Sequence, residues 1–338
     1  MFSRRQWLSR FFLLCAVGLL SPVFASPVTQ PLKVSIAAER TALAWAAAEK
    51  WQGQNAALAL ESAASADSLP PLDRAGIAIV PLRVFAQAVP AADVLALPFL
   101  FEDLAAVHRT QAGELGALLQ HEAARAGWRI LGYWDEGMQS LSGNQAYNRP
   151  ENLAGIEFAQ LAPDAIEEKT LRALDAWPRS VRPNSQAQMA QECLVRSRAA
   201  TLQTLWRESL YRVHLNLTLT RHRYAAWIVA MPAAQWQRLP LAERKRLQAG
   251  LTQTTRWEQN AALQREADAL QQLKKAGMEV TELSAAERAA LQARLGPLQD
   301  LLPDTLDASL KRHLLALATS RGASSAPLSA RKKPLLDP

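Results

Sequence analysis

The stretch from Leu241 to Lys275 reads LAERKRLQAGLTQTTRWEQNAALQREADALQQLKK, and it decides the fold. It contains no proline, and Gly250 is its one weak point. Ala, Leu, Gln, Glu, Arg and Lys dominate, all good helix formers. An unbroken helix of 35 residues spans about 52 Å at ~1.5 Å per residue. That exceeds the width of one small lobe, so the helix is expected to bridge two. Gly277 supplies its stop. Ser284 with Glu287 then forms a capping box that opens a further helix ending near Gly296 and Pro297.

Upstream, apolar runs alternate with helical stretches, the pattern of an α/β protein. Strands are predicted over 32–36, 75–82, 130–134, 156–161, 215–220, 225–231 and 278–283. The run AGIAIVPL from 75 to 82 is almost wholly apolar, which suits a strand covered on both faces. Helices are predicted over 41–54, 104–126, 164–173, 184–193 and 199–210. Pro98, Pro163, Pro183 and Pro240 fall at the edges of these elements, where proline is tolerated. No internal repeat is visible.

The first 25 residues read as an export signal. Arg4, Arg5 and Arg10 make a positive start, an apolar run follows from Phe11 to Leu20, and Val23-Phe24-Ala25 presents a cleavage site. The apolar run is too short for a membrane span, which takes about 20 residues. Ser3-Arg4-Arg5-Gln6-Trp7-Leu8 also resembles the twin-arginine motif, so either export route is open. Cys15 lies inside the apolar run after Leu14, a poor lipoprotein site. Cleavage after Ala25 would leave Cys193 as the only thiol, which excludes an intramolecular disulfide.

Losing the three arginines and no acid takes the formal charge from +7 to +4, spread along the chain. No helix-turn-helix, zinc spacing or basic-aromatic module points to nucleic acid. His108, His121, His214, His222 and His313 are scattered, and His121-Glu122 lacks the second histidine of a zinc helix because Arg125 stands there. No nucleophile elbow or phosphate loop is present. The chain is therefore read as a non-enzyme without metal or cofactor. The mature length of 313 residues (338 less 25) suits two domains.

Several segments, in order, resemble the periplasmic receptors of tripartite ATP-independent (TRAP-type) transporters, dicarboxylate-receptor family. They are Val94-Leu95-Ala96-Leu97-Pro98-Phe99-Leu100-Phe101, Gly132-Tyr133-Trp134-Asp135-Glu136-Gly137 and Arg149-Pro150-Glu151-Asn152-Leu153-Ala154-Gly155-Ile156. Farther on come Tyr211-Arg212-Val213 with Leu217-Thr218-Leu219-Thr220-Arg221-His222, then Trp236-Gln237-Arg238-Leu239-Pro240, and finally Leu273-Lys274-Lys275-Ala276-Gly277-Met278-Glu279-Val280. The resemblance covers roughly 32–298. It implies a two-lobe periplasmic binding protein fold, α/β, with crossing strands and a lobe-bridging helix. It also implies a cleft that shuts on a small ligand, often an organic acid, and delivers it to membrane permease subunits. The boundaries read from it are a signal at 1–25, lobe I at 26–136 plus 226–265, lobe II at 137–225 plus 266–315, and a disordered tail at 316–338.

The ligand positions depart from the family. Where the resemblance implies an arginine that grips the ligand carboxylate, this chain has Ala159. A second arginine position is Gln139, and Arg196 stands where the family has an acid. The cleft-lining run of the family maps onto 190–201, where only Gln191 agrees. A charge-assisted hydrogen bond is worth about 1.5–3 kcal/mol, so losing such a clamp weakens an acid ligand strongly unless it is rebuilt. Arg179, Arg182 and Arg196 are the nearby candidates to rebuild it, although a solvated surface is the ordinary place for each. Trp177 lines the cleft or fills a lobe core, with the core favoured. The ligand-binding candidates are thus Gln139, Ala159, Trp177, Arg182 and Arg196. The leading function is a periplasmic solute receptor for a TRAP-type permease. The alternative is an exported protein that kept the fold, lost the solute and acts through protein contacts. A periplasmic enzyme ranks last.

Overall fold

The computed structural model describes residues 31–38, 40–65, 67–74, 76–181, 196–302 and 306–324. The first half holds β1 (Leu32–Ile36), α1 (Leu43–Gln54), β2 (Leu58–Ser62), β3 (Ile77–Pro81), α2 (Leu82–Ala88) and a 3-10 turn at Pro90–Ala96. It continues through α3 (Leu104–Gln111), α4 (Glu114–Arg125) and β4 (Trp128–Gly143). Next come β5 (Glu157–Gln160), α5 (Ala165–Ala173), β6 (Trp177–Ser180), β7 (Arg198–Thr201) and α6 (Leu202–Arg207). The chain then runs through β8 (Asn216–Pro232), α7 (Ala233–Arg238), α8 (Leu241–Lys275), β9 (Glu279–Glu282), α9 (Ala285–Arg294) and α10 (Ala308–Ser324).

The main sheet has the order β2-β1-β3-β8-β4-β7, and β9 joins β8. Strands β4 and β8 are long enough to serve both halves of it. Their first and last parts pair Trp128 with Pro232 through Asp135 with Ala226, beside β3. Their other ends pair Leu141 with Thr218 through Gly143 with Asn216, flanked by β7 and β9. The ladder slips three times on the way, between Ile130 and Gly132, Asp135 and Gly137, and Gln139 and Leu141. Gly137 has φ +124°, a backbone conformation that a side chain would strain, so the slip is built on a residue that tolerates it.

The predicted strands at 215–220 and 225–231 are one strand. The polar triplet Arg221-His222-Arg223 interrupts the apolar pattern and coincides with the slip at which the β4 register jumps from Arg223 to Thr218, yet the strand runs on through it. The helix predicted over 104–126 is two, divided at Gly113. The segment 199–210 opens as β7 before α6 begins, because Thr201 caps that helix by accepting from the Thr204 N–H. Strands β2 and β6 were not expected, and the helix predicted over 184–193 lies outside the described residues.

Helix α8 runs unbroken over Leu241–Lys275, as its composition requires. Its buried stripe is Leu247, Leu251, Thr254, Glu258, Ala262, Ala269 and Leu273, one side of the helix at steps of three, four and, once, seven residues. Leu247 and Leu251 join a core with Trp45, Trp51, Ile77, Trp134 and Val229. Ala269 and Leu273 join another with Leu202, Leu205, Leu217 and Leu219. One helix thus seals the same side of both halves. Gly250 is not a flaw in it: a Cβ there would lie 2.4 Å from the buried Asn55 amide and 3.3 Å from the Trp51 ring, so glycine lets α1 press against α8.

On the opposite face of β3, β8 and β4, the α2–α4 region buries Phe85, Leu95, Phe101, Leu115 and Trp128. Leu301, Leu302, Leu306, Leu310 and Leu314 complete this cluster. The last segment therefore returns to pack with residues of the first half, and α10 carries the chain in helix to Ser324, past residue 316. A fourth cluster, with Tyr147, Phe158, Leu171 and Leu291, sits under the small β5–β6 sheet. Among the described residues no helix is long and apolar enough to cross a membrane.

Candidate functional site

Where β4 and β8 pass from one half of the sheet to the other, they form the floor of a cavity of about 300 Å³. Glu136 and Gln139 come from β4, and Arg223, Tyr224, Ala225 and Ala226 from β8. One wall is the β3–α2 corner, Pro81 to Arg83. The other is the end of β5 with α5, from Ala159 to Glu167, and β7 with α6 closes it at Thr201, Thr204 and Glu208. Both halves of the molecule contribute, as expected of a cleft that closes on a small solute.

The most buried charge in the wall is Arg223, 4% exposed. Its Nη2 donates to Asp164 Oδ2 at 2.5 Å, its Nη1 to Glu167 Oε2 at 3.5 Å and its Nε to the Ala96 carbonyl at 3.1 Å. It therefore pins the Pro90–Ala96 turn to the start of α5. Asp164 acts twice, because its Oδ1 also caps α5 by accepting from the Glu167 N–H at 3.0 Å. Burial raises Glu167 to about 7 despite the arginine. Burial, helped by the charge of Asp164, raises Asp93 behind it to about 6.

The second guanidinium, Arg198, is gripped by both oxygens of Glu208. The third, Arg83, donates to Asp67 at 2.7 Å nearer solvent. Glu136 accepts a hydrogen bond from the Thr204 hydroxyl at 3.1 Å, and that hydroxyl in turn accepts from Thr201. Gln139 turns a buried Oε1 that receives no hydrogen bond among the described residues. Glu136 also borders a second cavity of about 270 Å³ on the α8 side, with Trp206, Trp227 and Arg265.

Beneath the floor lies a buried polar knot. The Tyr224 hydroxyl donates to Asp135 Oδ1 at 2.6 Å, and His108 Nε2 lies 2.7 Å from Asp135 Oδ2. Glu258 of α8, fully buried, accepts from the Asp135 N–H at 3.0 Å. Burial first, then the nearby Asp135 charge, holds the Glu258 carboxyl well above its ordinary pKa. His222 is buried beside the floor, and its Nδ1 lies 2.8 Å from the Thr220 hydroxyl. Burial and the charges of Arg223 and Arg288 lower it to about 3, so it stays neutral. Among the described residues, no group of His, Cys, Asp and Glu is placed to hold a metal ion.

Of the sequence candidates, Gln139 and Ala159 line the cavity. Trp177 lines neither cleft nor core: it stands on β6, 62% exposed. Arg196 is exposed and outside the cavity lining, and Arg179 pairs with Glu157 on the surface. Arg182 lies outside the described residues. Arg198, Arg223 and the acids that face them were missed. A signal existed for Arg223, since a charge inside a long apolar strand must find a partner. Nothing in one sequence says that the partner is Asp164, 59 positions away.

The chain matches the family described as bacterial extracellular solute-binding protein, family 7, over residues 72–302. It is 27% identical over 217 residues to the C4-dicarboxylate-binding periplasmic protein DctP of Rhodobacter capsulatus, an alignment covering 64% of this chain and 65% of that protein. It is 27% identical over 226 residues to the C4-dicarboxylate-binding protein DctB of Bacillus subtilis, covering 66% and 64%. The chain thus spans slightly under two thirds of these curated relatives. Among solved structures it is similar to a TRAP periplasmic solute-binding protein of Shewanella oneidensis with bound succinate. That match has TM-score 0.73 and 22% identity, and covers 85% of this chain and 98% of the other. A counterpart from Sulfitobacter with bound β-D-galacturonate gives TM-score 0.72 at 18% identity, covering 84% and 98%. These likenesses carry the two-lobe α/β fold.

Proposed function

The chain belongs to bacterial extracellular solute-binding protein family 7, and on that premise we propose that it is the periplasmic receptor of a TRAP-type transporter. It captures a small polar solute in the cavity over β4 and β8 and presents it to membrane permease subunits. The observation that carries this reading is the cavity itself, floored by strands that serve both halves and walled by elements of each. Its volume falls at the small end of the range for ligand sites. The succinate, uronate and C4-dicarboxylate ligands named for relatives support a small polar solute. The export signal read at 1–25 agrees with a periplasmic address.

Binding that closes such a cleft stabilises the folded state by mass action. A thermal-shift screen of the mature chain against organic acids, amino acids, amines and sugar acids tests the reading. At least one compound is expected to raise the Tm in a saturable way and to compact the protein in small-angle scattering. A screen in which nothing does so would leave the protein-contact reading, in which the solute is lost, as the better account. The polar lining of the cavity argues against that alternative.

A further inference from the structure

We propose, building on the receptor reading above, that the solute carries a cationic nitrogen, an ammonium or guanidinium group, which sits against the carboxylates of the cavity at Glu136 and Glu167. Among the described residues the cavity presents three guanidinium groups, Arg83, Arg198 and Arg223. Against them stand five carboxyl groups, Asp67, Glu136, Asp164, Glu167 and Glu208. The excess is therefore acidic, the wrong sign for a dicarboxylate.

The arginines are also engaged already. Glu208 holds Arg198 with both oxygens, Asp164 with Glu167 and the Ala96 carbonyl hold Arg223, and Asp67 holds Arg83. A ligand carboxylate meets protein acceptors already in place on Arg198 and Arg223, whereas Arg83 spends one donor on Asp67. Glu136 is different, since its bond among the described residues comes from a neutral hydroxyl, that of Thr204. Gln139 also lines the cavity, its Oε1 sealed beneath the surface without a donor among the described residues. Acceptors left over in a cavity wall call for a donor from the ligand, and a cation supplies both donors and charge.

Titration in the wall agrees. Glu167 faces Asp164 on its own helix turn, Arg223 from β8, Arg198 from β7, Gln160 at the end of β5 and, across Arg223, Asp93 from the Pro90–Ala96 turn. In that setting burial raises Glu167 to about 7, so near neutral pH its carboxyl is partly protonated and a bound cation would favour the ionised form. A cation that draws Glu167 into its ionised form releases a proton on binding. Affinity then rises with pH, whereas a dicarboxylate that needs Glu167 protonated would bind more weakly as pH rises.

The test is calorimetry on the mature chain with L-lysine, L-arginine, putrescine and glycine betaine, set beside succinate, L-malate and D-glucuronate, at pH 5.5 and pH 8. An amine is expected to bind about ten-fold or more tightly at pH 8 than at pH 5.5. Glu136→Gln, which keeps an acceptor for Thr204, should weaken it about ten-fold or more. Glu167→Gln should flatten the pH dependence. Binding of an acid with no binding of any amine would overturn this inference and leave the receptor reading standing. Amine binding indifferent to both variants would overturn the placement at Glu136 and Glu167. Failure of every compound at millimolar concentration would overturn both readings.

Discussion

Replacing Arg223 by methionine removes the charge that holds the cavity wall together while keeping much of its apolar stem. Three hydrogen bonds go, one to the Ala96 carbonyl and two to carboxylates. What remains is worse than their absence, because Asp164, Glu167 and Asp93 then face one another with no cation between them. Removing one partner of a buried ion pair costs about 3–5 kcal/mol, and that is the loss expected at pH 8. At pH 5 the loss should shrink, because Glu167 and Asp93, at about 7 and about 6 even beside the arginine, take up protons more readily without it. The sign follows from proton counting: the folded variant binds more protons than its unfolded chain, so its stability falls as pH rises. Urea unfolding followed by tryptophan fluorescence at pH 5 and pH 8 measures both figures. Adding Asp164→Asn and Glu167→Gln to the methionine variant should recover most of the loss, since asparagine still caps α5. A loss under about 1 kcal/mol at pH 8, or one independent of pH, would show that Arg223 is not the keystone described here.

Glu258→Gln should be more stable than the parent at pH 8 by about 1 kcal/mol or more, because each pKa unit of mismatch is worth about 1.36 kcal/mol. The raised folded-state pKa means that the parent loses stability as pH climbs above the ordinary glutamate range, and the variant should flatten that decline in parallel melts. Gly250→Ala gains helix propensity of about 1 kcal/mol but drives a methyl into Asn55 and Trp51, so a net loss of about 1–2 kcal/mol is expected by urea titration. Ser284→Ala removes a cap that accepts from the Glu287 N–H and should lower stability by about 1 kcal/mol in the same assay.

Much of the architecture was legible because it rests on local rules. The unbroken composition of 241–275 specified α8, and Ser284 with Glu287 specified the start of α9, both as observed. The order of family-like segments made the two-lobe fold readable. Local rules failed where tertiary pairing decides. β2 and β6 are short strands completed by a neighbour's ladder, and β8 runs through Arg221-His222-Arg223, where Arg223 pairs with Asp164 and Glu167 at the start of α5. The site was half readable. Gln139 and Ala159 line the cavity wall, carried there by β4 and β5. Of the arginines named to rebuild an anion clamp, Arg182 lies outside the described residues. Arg179 and Arg196 face outward, whereas the half-buried Arg198 and the buried Arg223 sit on β7 and β8. Which way a guanidinium turns depends on acids remote in sequence, and a single chain carries no trace of that distance.

The placement of β8 has a consequence for how the chain is made. It lies between β3 and β4 in the sheet, yet it follows both in sequence, ending at Pro232. A chain growing from its N-terminus therefore completes β1 to β4 and leaves two strand edges open where the central strand belongs. Exposed edges of apolar strands are sites for wrong pairing with other chains. The sheet cannot close until some two thirds of the sequence has been synthesised, and its longest ladder joins strands whose paired ends, Trp128 and Pro232, lie far apart along the chain. Such non-local pairing is slow. A nascent chain of this topology keeps the centre of its sheet open until β8 has emerged.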